Sequence, residues 1–297
     1  MSAAPKTGAV LVGFGGPRDL DDVEPMFKNI FGGAPVPLSV LRAGLEKYEL
    51  IGGSSPLPRI AAALAEKLEA ALQMDVRRGM QFNAPFVADA VEALRAEGCE
   101  RLLYLSLTPF HSNSAYFAPL EQLRATTDCA VLVAEPIGLT QSYIAATATR
   151  LAEALRGACR PLVVCVAHSL PLDGSEDTAR YDAEIQTAAE QTMQAIAADE
   201  RALWFCAYSS QGARGAAWLE PKVDEALEYA DKLGSQSIVV CPLGFATDHM
   251  EVLYDLDIKL KEQVETAGLT YRRAETLGAA DDALAAYIQV VKEALKP

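Results

Sequence analysis

The chain holds only three histidines, His111, His168 and His249, and each stands at or shortly after the carboxyl end of an apolar run of strand length. His168 comes directly after LVVCVA, His111 after LLYLSLTPF and His249 after IVVCPLGFATD. Parallel-sheet proteins build their sites along that edge. An imidazole there takes up a proton near neutral pH or ligates a first-row divalent metal. Taken singly, each is equally readable as a hydrogen-bonded structural histidine; taken together they favour a site. His168 opens His168-Ser169-Leu170-Pro171, where Pro171 fixes its own φ and pushes Leu170 toward extended backbone. The chain turns rigidly there and aims the imidazole.

The second group is Thr247-Asp248-His249-Met250-Glu251, followed by Tyr254-Asp255-Leu256-Asp257. Thr247 or Asp248 as N-cap with Glu251 a turn later reads as a capping box. Glu251 and Asp255, however, are spaced i, i+4, a like-charge pair that costs a few tenths of a kcal/mol on one helix face. Something cationic should offset them. Lys259, one turn on, is the local candidate, and a divalent metal, which carboxylate and imidazole suit, is the functional one.

Two glycine-rich turns come next. Gly13-Phe14-Gly15-Gly16-Pro17 lacks the third glycine of a dinucleotide fingerprint and has Pro17 where a backbone donor is wanted, and no GxxxxGK[ST] occurs. Ile51-Gly52-Gly53-Ser54-Ser55 precedes a helix and reads equally as an anion nest or as a tight loop. Tyr208 and Trp218 flank a small-residue stretch over 209–215, as liners of a flat ligand or as core.

These residues need elements to hold them. Strand-length apolar runs at 9–14, 79–82, 102–107, 130–133, 162–167, 203–207 and 237–243 alternate with helical spacing at 59–73, 87–97, 141–156, 180–198, 219–232, 249–266 and 281–295. That alternation predicts an α/β protein with parallel sheets. A divide near Glu135-Pro136 gives domains over 1–136 and 137–279, with the last helix, 280–297, free to pack on the first. Blocks 98–110 and 234–245 share a loose pattern of glycine, strand, proline and phenylalanine, a weak echo of duplication.

With 297 residues, 51% hydrophobic and 22% charged, the chain has globular rather than disordered composition. A formal charge of −14 argues against a nucleic-acid partner. No apolar stretch approaches the ~20 residues of a membrane span, and the N-terminal apolar run reads as a strand rather than a signal peptide. Six scattered cysteines without a CxxC pair fit a reduced, cytoplasmic compartment and argue against a cysteine-held zinc or iron–sulfur site.

LVGFGGP, IGGSSPL, AHSLP and GFATDHMEVLYDLD, in this order and spacing across essentially the whole chain, together resemble the ferrochelatase family, and in particular its short coproporphyrin-type members. The resemblance implies two Rossmann-like parallel-sheet domains of chelatase type with a cleft between them. It implies insertion of ferrous iron into a porphyrin, coproporphyrin III or protoporphyrin IX, in haem biosynthesis. It implies that His168 and Glu251 face one another across the porphyrin plane as catalytic and metal-binding groups, with Asp255 next in an acidic row; Lys259 stands where the family often has a third acid. Phe14 occupies the place of an iron-ligating tyrosine and can only stack or pack. Lys47, Tyr48 and Ser55 match positions where the family contacts porphyrin. The loop 172–177 is shorter than the family's, and Tyr208-Ser209-Ser210 replaces its WQS.

Insertion requires removing two pyrrole protons, and a neutral imidazole at His168, with an unperturbed pKa near ~6.5, is the expected acceptor. Iron is then substrate and no cofactor is permanently bound; the partners are porphyrin and ferrous iron, and a monomer is favoured. Two further readings stand beside this one: a non-catalytic porphyrin- or haem-binding protein of the same fold, and a cobalt chelatase acting on a related tetrapyrrole.

Overall fold

A computed structural model describes residues 5–172, 174–197, 202–211 and 217–296. Asp173 and residues 212–215, which fall in the two loops singled out above, lie outside them.

The chain divides into two compact units: Met1–Thr108 with Asn113–Ile137 and Gly278–Pro297, and Pro109–Ser112 with Gly138–Leu277. The first holds a parallel sheet of β1 (Thr7–Gly13), β2 (Val76–Met80), β3 (Arg101–Ser106) and β4 (Ala130–Val133), in the order β2-β1-β3-β4. The second holds β5 (Pro161–His168), β6 (Leu203–Ser209), β7 (Ser237–Cys241) and β8 (Thr270–Arg273), in the order β6-β5-β7-β8. In each sheet the first strand lies between the second and the third. The two blocks that share a sequence pattern contain β3 and β7, which hold the same place in their sheets.

Five helices of the first unit, α1 (Val23–Ile30), α2 (Leu38–Leu50), α3 (Leu57–Leu72), α4 (Val87–Ala96) and α5 (Ala118–Ala125), precede α6 (Gln141–Leu155), α7 (Glu176–Ala195), α8 (Ala226–Leu233) and α9 (Lys261–Thr266) of the second. The last helix, α10 (Asp281–Ala294), packs on α3 of the first unit, with Lys67 Nζ bonded to the Ala279 carbonyl at 2.8 Å and to Asp281 at 2.7 Å.

Helices cover the sheets because the central strands are apolar on both faces. Val10 and Val12 of β1 and Leu102 and Tyr104 of β3 meet Val87, Val91 and Leu94 of α4 in one core cluster. Each such side chain stabilises the fold by about 1.5–3 kcal/mol. Gly79 lets α4 close onto β2, since a Cβ there would come within 2.8 Å of the Val87 backbone. In the second unit, Val164 and Val166 of β5 and Val240 of β7 pack with Val252, Leu256 and Leu260.

Helices α1, α2 and α5 fall outside the helical stretches expected from the sequence, and three further features depart from that expectation. β8 (TYRR) escapes it, because a polar strand at the edge of a sheet lacks the apolar run of a central one. Strand β2 begins at Val76, three residues early, since Arg77 is tied to Glu97 at 2.6 Å and to Glu69. The helical stretch after His249 begins as a ten-residue π-helix, Glu251–Leu260. Such helices are rare, mostly confined to single turns, and cluster at functional sites.

Candidate active site

His168 is the last residue of β5, which is flanked by β6 and β7, so the sheet carries its backbone to the carboxyl edge. The segment after this strand end is held rather than loose. Ser169, fully buried, donates its N–H to the Ser209 carbonyl at 2.8 Å and its hydroxyl to the Leu219 carbonyl at 3.1 Å. Leu219 donates its N–H to the Leu170 carbonyl at 2.9 Å and Leu172 its N–H to the Ala217 carbonyl at 2.7 Å, around a Pro171–Trp218 bridge. From α7, the Tyr181 hydroxyl donates to the His168 carbonyl at 3.1 Å. Nδ1 of His168 donates to the Ser169 carbonyl at 2.5 Å, which leaves Nε2 as the nitrogen that is aimed outward.

The loop from β7 to the π-helix is fitted onto β5. Gly244 donates its N–H to the Val166 carbonyl at 2.9 Å, and a Cβ on Gly244 would meet the Ala167 Cα at 2.7 Å. Tyr143 of α6 donates to the Leu243 carbonyl at 2.8 Å. At the far side, Arg273 of β8 grips Asp257 with two bonds of 2.6 and 2.8 Å and reaches Asp248 at 3.5 Å, while Thr276 donates to Asp248 at 3.0 Å. Asp248 is thus spent on Arg273 and Thr276, and the π-helix starts without a side-chain cap, so the capping-box reading fails.

These two mounts bring His168 and Glu251 together: Nε2 lies 3.2 Å from Oε1. Burial alone would lower the imidazole pKa, but the Glu251 carboxylate, the Ser169 carbonyl and the charge of Asp255 outweigh it and push the group up to about 9. The neighbouring carboxylate thus favours the protonated imidazole over the neutral one that was expected. The resemblance implied that the two groups face one another across a porphyrin plane. Groups on opposite faces of a flat ring need a gap of roughly 7 Å, twice the ~3.5 Å of van der Waals contact, and here they touch. The group that faces Glu251 is His168; Lys259 pairs instead with Asp224 at 3.3 Å.

The expected metal trio of His168, Glu251 and Asp255 does not close around one ion. Asp255 receives the Ser210 hydroxyl at 2.5 Å. Among the described residues no cluster of three or more His, Cys, Asp or Glu is placed to hold a metal. His249, set edge-on to Phe245 with ring centroids 5.0 Å apart, accepts the Glu251 N–H on Nδ1 at 3.2 Å. Burial lowers its pKa, in keeping with a neutral ring. His111 joins no part of this pair: its Nδ1 lies 2.7 Å from Glu184, and Arg180 contacts its Nε2 at 3.0 Å. Burial would raise the Glu184 carboxyl, but the bonds from His111 and Arg180 hold it below its usual range.

The remaining candidates lie in the first unit. Phe14 is 42% exposed and tilts against Phe82 at 4.6 Å. Lys47 is half-buried on α2. Tyr48 and Ser55 are only 4% and 7% exposed, so they offer a ligand little surface. The two glycine-rich turns interlock: Ser55 donates its N–H to the Pro17 carbonyl at 2.8 Å and fills the space where a Cβ on Gly16 would stand. Asn83 clamps Gly16 through both backbone groups, at 2.9 and 2.7 Å. The Gly52 and Gly53 N–H groups close the end of α2 on Glu49 and Tyr48, so this turn is the tight loop and not the nest. In the second unit Tyr208 is buried and bonded to Asp182, which makes it core rather than liner. Sequence reasoning missed Tyr181, because nothing in its neighbourhood marks a helix residue that will reach a strand end.

The family model described as Ferrochelatase matches residues 6–295. A coproporphyrin III ferrochelatase of Mycolicibacterium paratuberculosis is 31% identical over 280 residues, covering 90% of this chain and 82% of that protein. One from Frankia alni is 32% identical, covering 100% and 83%. Among solved structures, SirB from Bacillus subtilis with Fe3+ aligns with a TM-score of 0.59 at 15% identity, over 97% of this chain and 95% of that one. CbiX, described as the terminal enzyme of sirohaem biosynthesis in denitrifying bacteria, gives 0.55 at 15%, over 98% and 100%. At that identity the likeness is one of fold.

Proposed function

The chain belongs to the ferrochelatase family, and on that basis we propose that it inserts ferrous iron into coproporphyrin III, with His168 and Glu251 handling the metal and the protons. It is a metal chelatase whose iron is cargo rather than resident cofactor. The names of its relatives support coproporphyrin III over protoporphyrin IX. The six free cysteines support a cytoplasmic setting, and no helix of the described residues is long and apolar enough to cross a membrane.

The observation that carries the reading is the 3.2 Å contact between Nε2 and Oε1. Two neighbouring ligands at about 2.1 Å from one ion stand roughly 3.0 Å apart at a right angle and roughly 3.4 Å apart at a tetrahedral one, so the 3.2 Å pair has the bite of a metal clamp with a proton in the metal's place. The Ser169 carbonyl keeps the proton of Nδ1, so loss of one proton leaves the Nε2 lone pair facing Glu251. Ferrous iron thus replaces one proton on arrival.

When iron passes to the ring, His168 and Glu251 are left as two bases for two pyrrole protons. His168 keeps one and regains its resting charge. Glu251 passes the other to Asp255, the next acid along the π-helix. One proton leaves on loading and one on turnover, the two that the porphyrin gives up. Phe14 offers an exposed ring on which a flat macrocycle stacks, and Lys47 a cation for its carboxylates; Tyr48 and Ser55 support the turns behind them.

An anaerobic assay with ferrous iron and each porphyrin tests this. Coproporphyrin III should give the metalloporphyrin spectrum, and His168→Ala should lower turnover by at least ~10²–10⁴-fold while the protein stays folded. Near-normal turnover in that variant would reject the assignment. A Soret shift on binding without iron-dependent change would return the chain to a binding role.

A further inference from the structure

Ser210 follows the end of β6 with φ +62, in the left-handed region, which disfavours any residue with a Cβ. Gln73 and Arg160 share this feature; Gln73 closes α3, where such geometry is ordinary, and Arg160 leads into β5, where its carbonyl accepts the Gln236 N–H at 3.2 Å. Ser210 closes no helix. Glycine would adopt its conformation freely; what glycine lacks is the hydroxyl, and that hydroxyl donates to Asp255 Oδ2 at 2.5 Å.

The neighbours of Ser210 hold the imidazole. The Ser209 carbonyl accepts the Ser169 N–H, and Gln211 Nε2 donates to the same Leu219 carbonyl that takes the Ser169 hydroxyl. Ser169 in turn fixes Nδ1 of His168. One turn at the end of β6 therefore mounts the imidazole through Ser209 and Gln211 and the second acid through Ser210.

We infer that Ser210 is a positioning residue for Asp255, fixing the orientation of the second acid from the same turn that mounts the imidazole. A serine hydroxyl donates to a carboxylate and, after rotation, accepts from a carboxylic acid. A backbone N–H or a lysine can only donate. The hydroxyl orients Asp255 Oδ2, and the unfavourable backbone is kept because glycine, which suits it, would lack that bond. This rests on the proposal that Asp255 receives the proton from Glu251.

The test is a double-mutant cycle in the full chain, with Ser210→Gly, Asp255→Ala and the pair. It is read as kcat and KM for ferrous iron with coproporphyrin III, and as cobalt(II) binding to the porphyrin-free protein. Ser210→Gly should lower kcat/KM for iron about tenfold and leave KM for the porphyrin unchanged. Its melting temperature should stay near wild type, as backbone relief offsets the lost bond. In the Asp255→Ala background it should add nothing, and Ser210→Asn, which tolerates this backbone and offers an amide donor, should restore most of the loss. Unchanged kinetics in Ser210→Gly, or equal losses in both backgrounds, would overturn the inference while leaving the chelatase reading standing. If the wild type makes no metalloporphyrin, that reading falls, and the cobalt arm decides alone: coupling sustains the positioning of Asp255, and additivity overturns it.

Discussion

Nε2 of His168 and Oε1 of Glu251 lie 3.2 Å apart, one at the end of β5 and one at the first residue of the π-helix. Neither element could supply the contact alone. The strand end fixes the imidazole through Ser169 and Tyr181, and Arg273 pins the π-helix at Asp257. Their meeting raises the pKa of the imidazole, against the effect of its burial.

That rise is directly measurable. Nitrogen-detected NMR should show His168 titrating near pH 9 in the metal-free protein. In Glu251→Gln the largest favourable contribution is gone while burial persists, so the titration should move to or below the ordinary ~6.5. A wild-type value near 6.5 would remove the ion pair from the resting state.

Stability should follow the same group. A histidine whose folded pKa is raised stabilises fully below its unfolded value, ~6.5, and loses that contribution as pH climbs through the folded value, about 9. The melting-temperature gap between wild type and Glu251→Gln should therefore be widest near pH 6 and close above pH 9. A gap that widens with rising pH would have the wrong sign.

Iron loading should release a proton. Calorimetric titration with cobalt(II) in buffers of different ionisation enthalpy should show about one proton released at pH 7, with affinity rising roughly tenfold per pH unit until the imidazole is neutral, since ligands must be deprotonated to bind. Glu251→Gln should release almost none. Proton release that is zero in the wild type would mean that the ion does not enter between these two groups.

The central strands and the strand-end position of His168 were legible in the sequence because buried parallel strands need unbroken apolar runs, and LVVCVA leads straight into the histidine. The edge strand β8 was not, since its arginines serve Asp257 and backbone carbonyls rather than a core. The pair itself was half legible: residue types named His168 and Glu251, but spacing assumed an α-helix and an intervening ring. The buried Ser169 anchor depends on segments 40 and more residues away, and the π-helix on Arg273 of an edge strand that the sequence pattern did not show. Tyr48 and Ser55 were chosen by motif, and their burial depends on how the first unit packs around them.

Lys259 separates local charge pattern from tertiary pairing. It pairs with Asp224 across about half-exposed surface, where an ion pair contributes ~0–1 kcal/mol. Lys259→Gln should leave iron insertion unchanged and shift stability by less than ~1 kcal/mol in urea melts. A tenfold loss of turnover would restore Lys259 to the acidic row.

His111 provides the counterpart to His168. All three histidines follow strand ends, yet His111 is 5% exposed and spends Nδ1 on Glu184, which also accepts its N–H at 3.0 Å. Hydrogen bonds to a charged group contribute roughly 1.5–3 kcal/mol, and their loss leaves a buried carboxylate short of a donor. His111→Ala should thus lower the stability of the protein by about 2–3 kcal/mol in urea melts, while turnover per folded molecule at a permissive temperature stays within about twofold of wild type. His111→Gln, which keeps a donor for Glu184, should recover part of the stability. Loss of iron insertion in a fully folded His111→Ala would place a second histidine in the chemistry and undo the division between a working imidazole and a structural one.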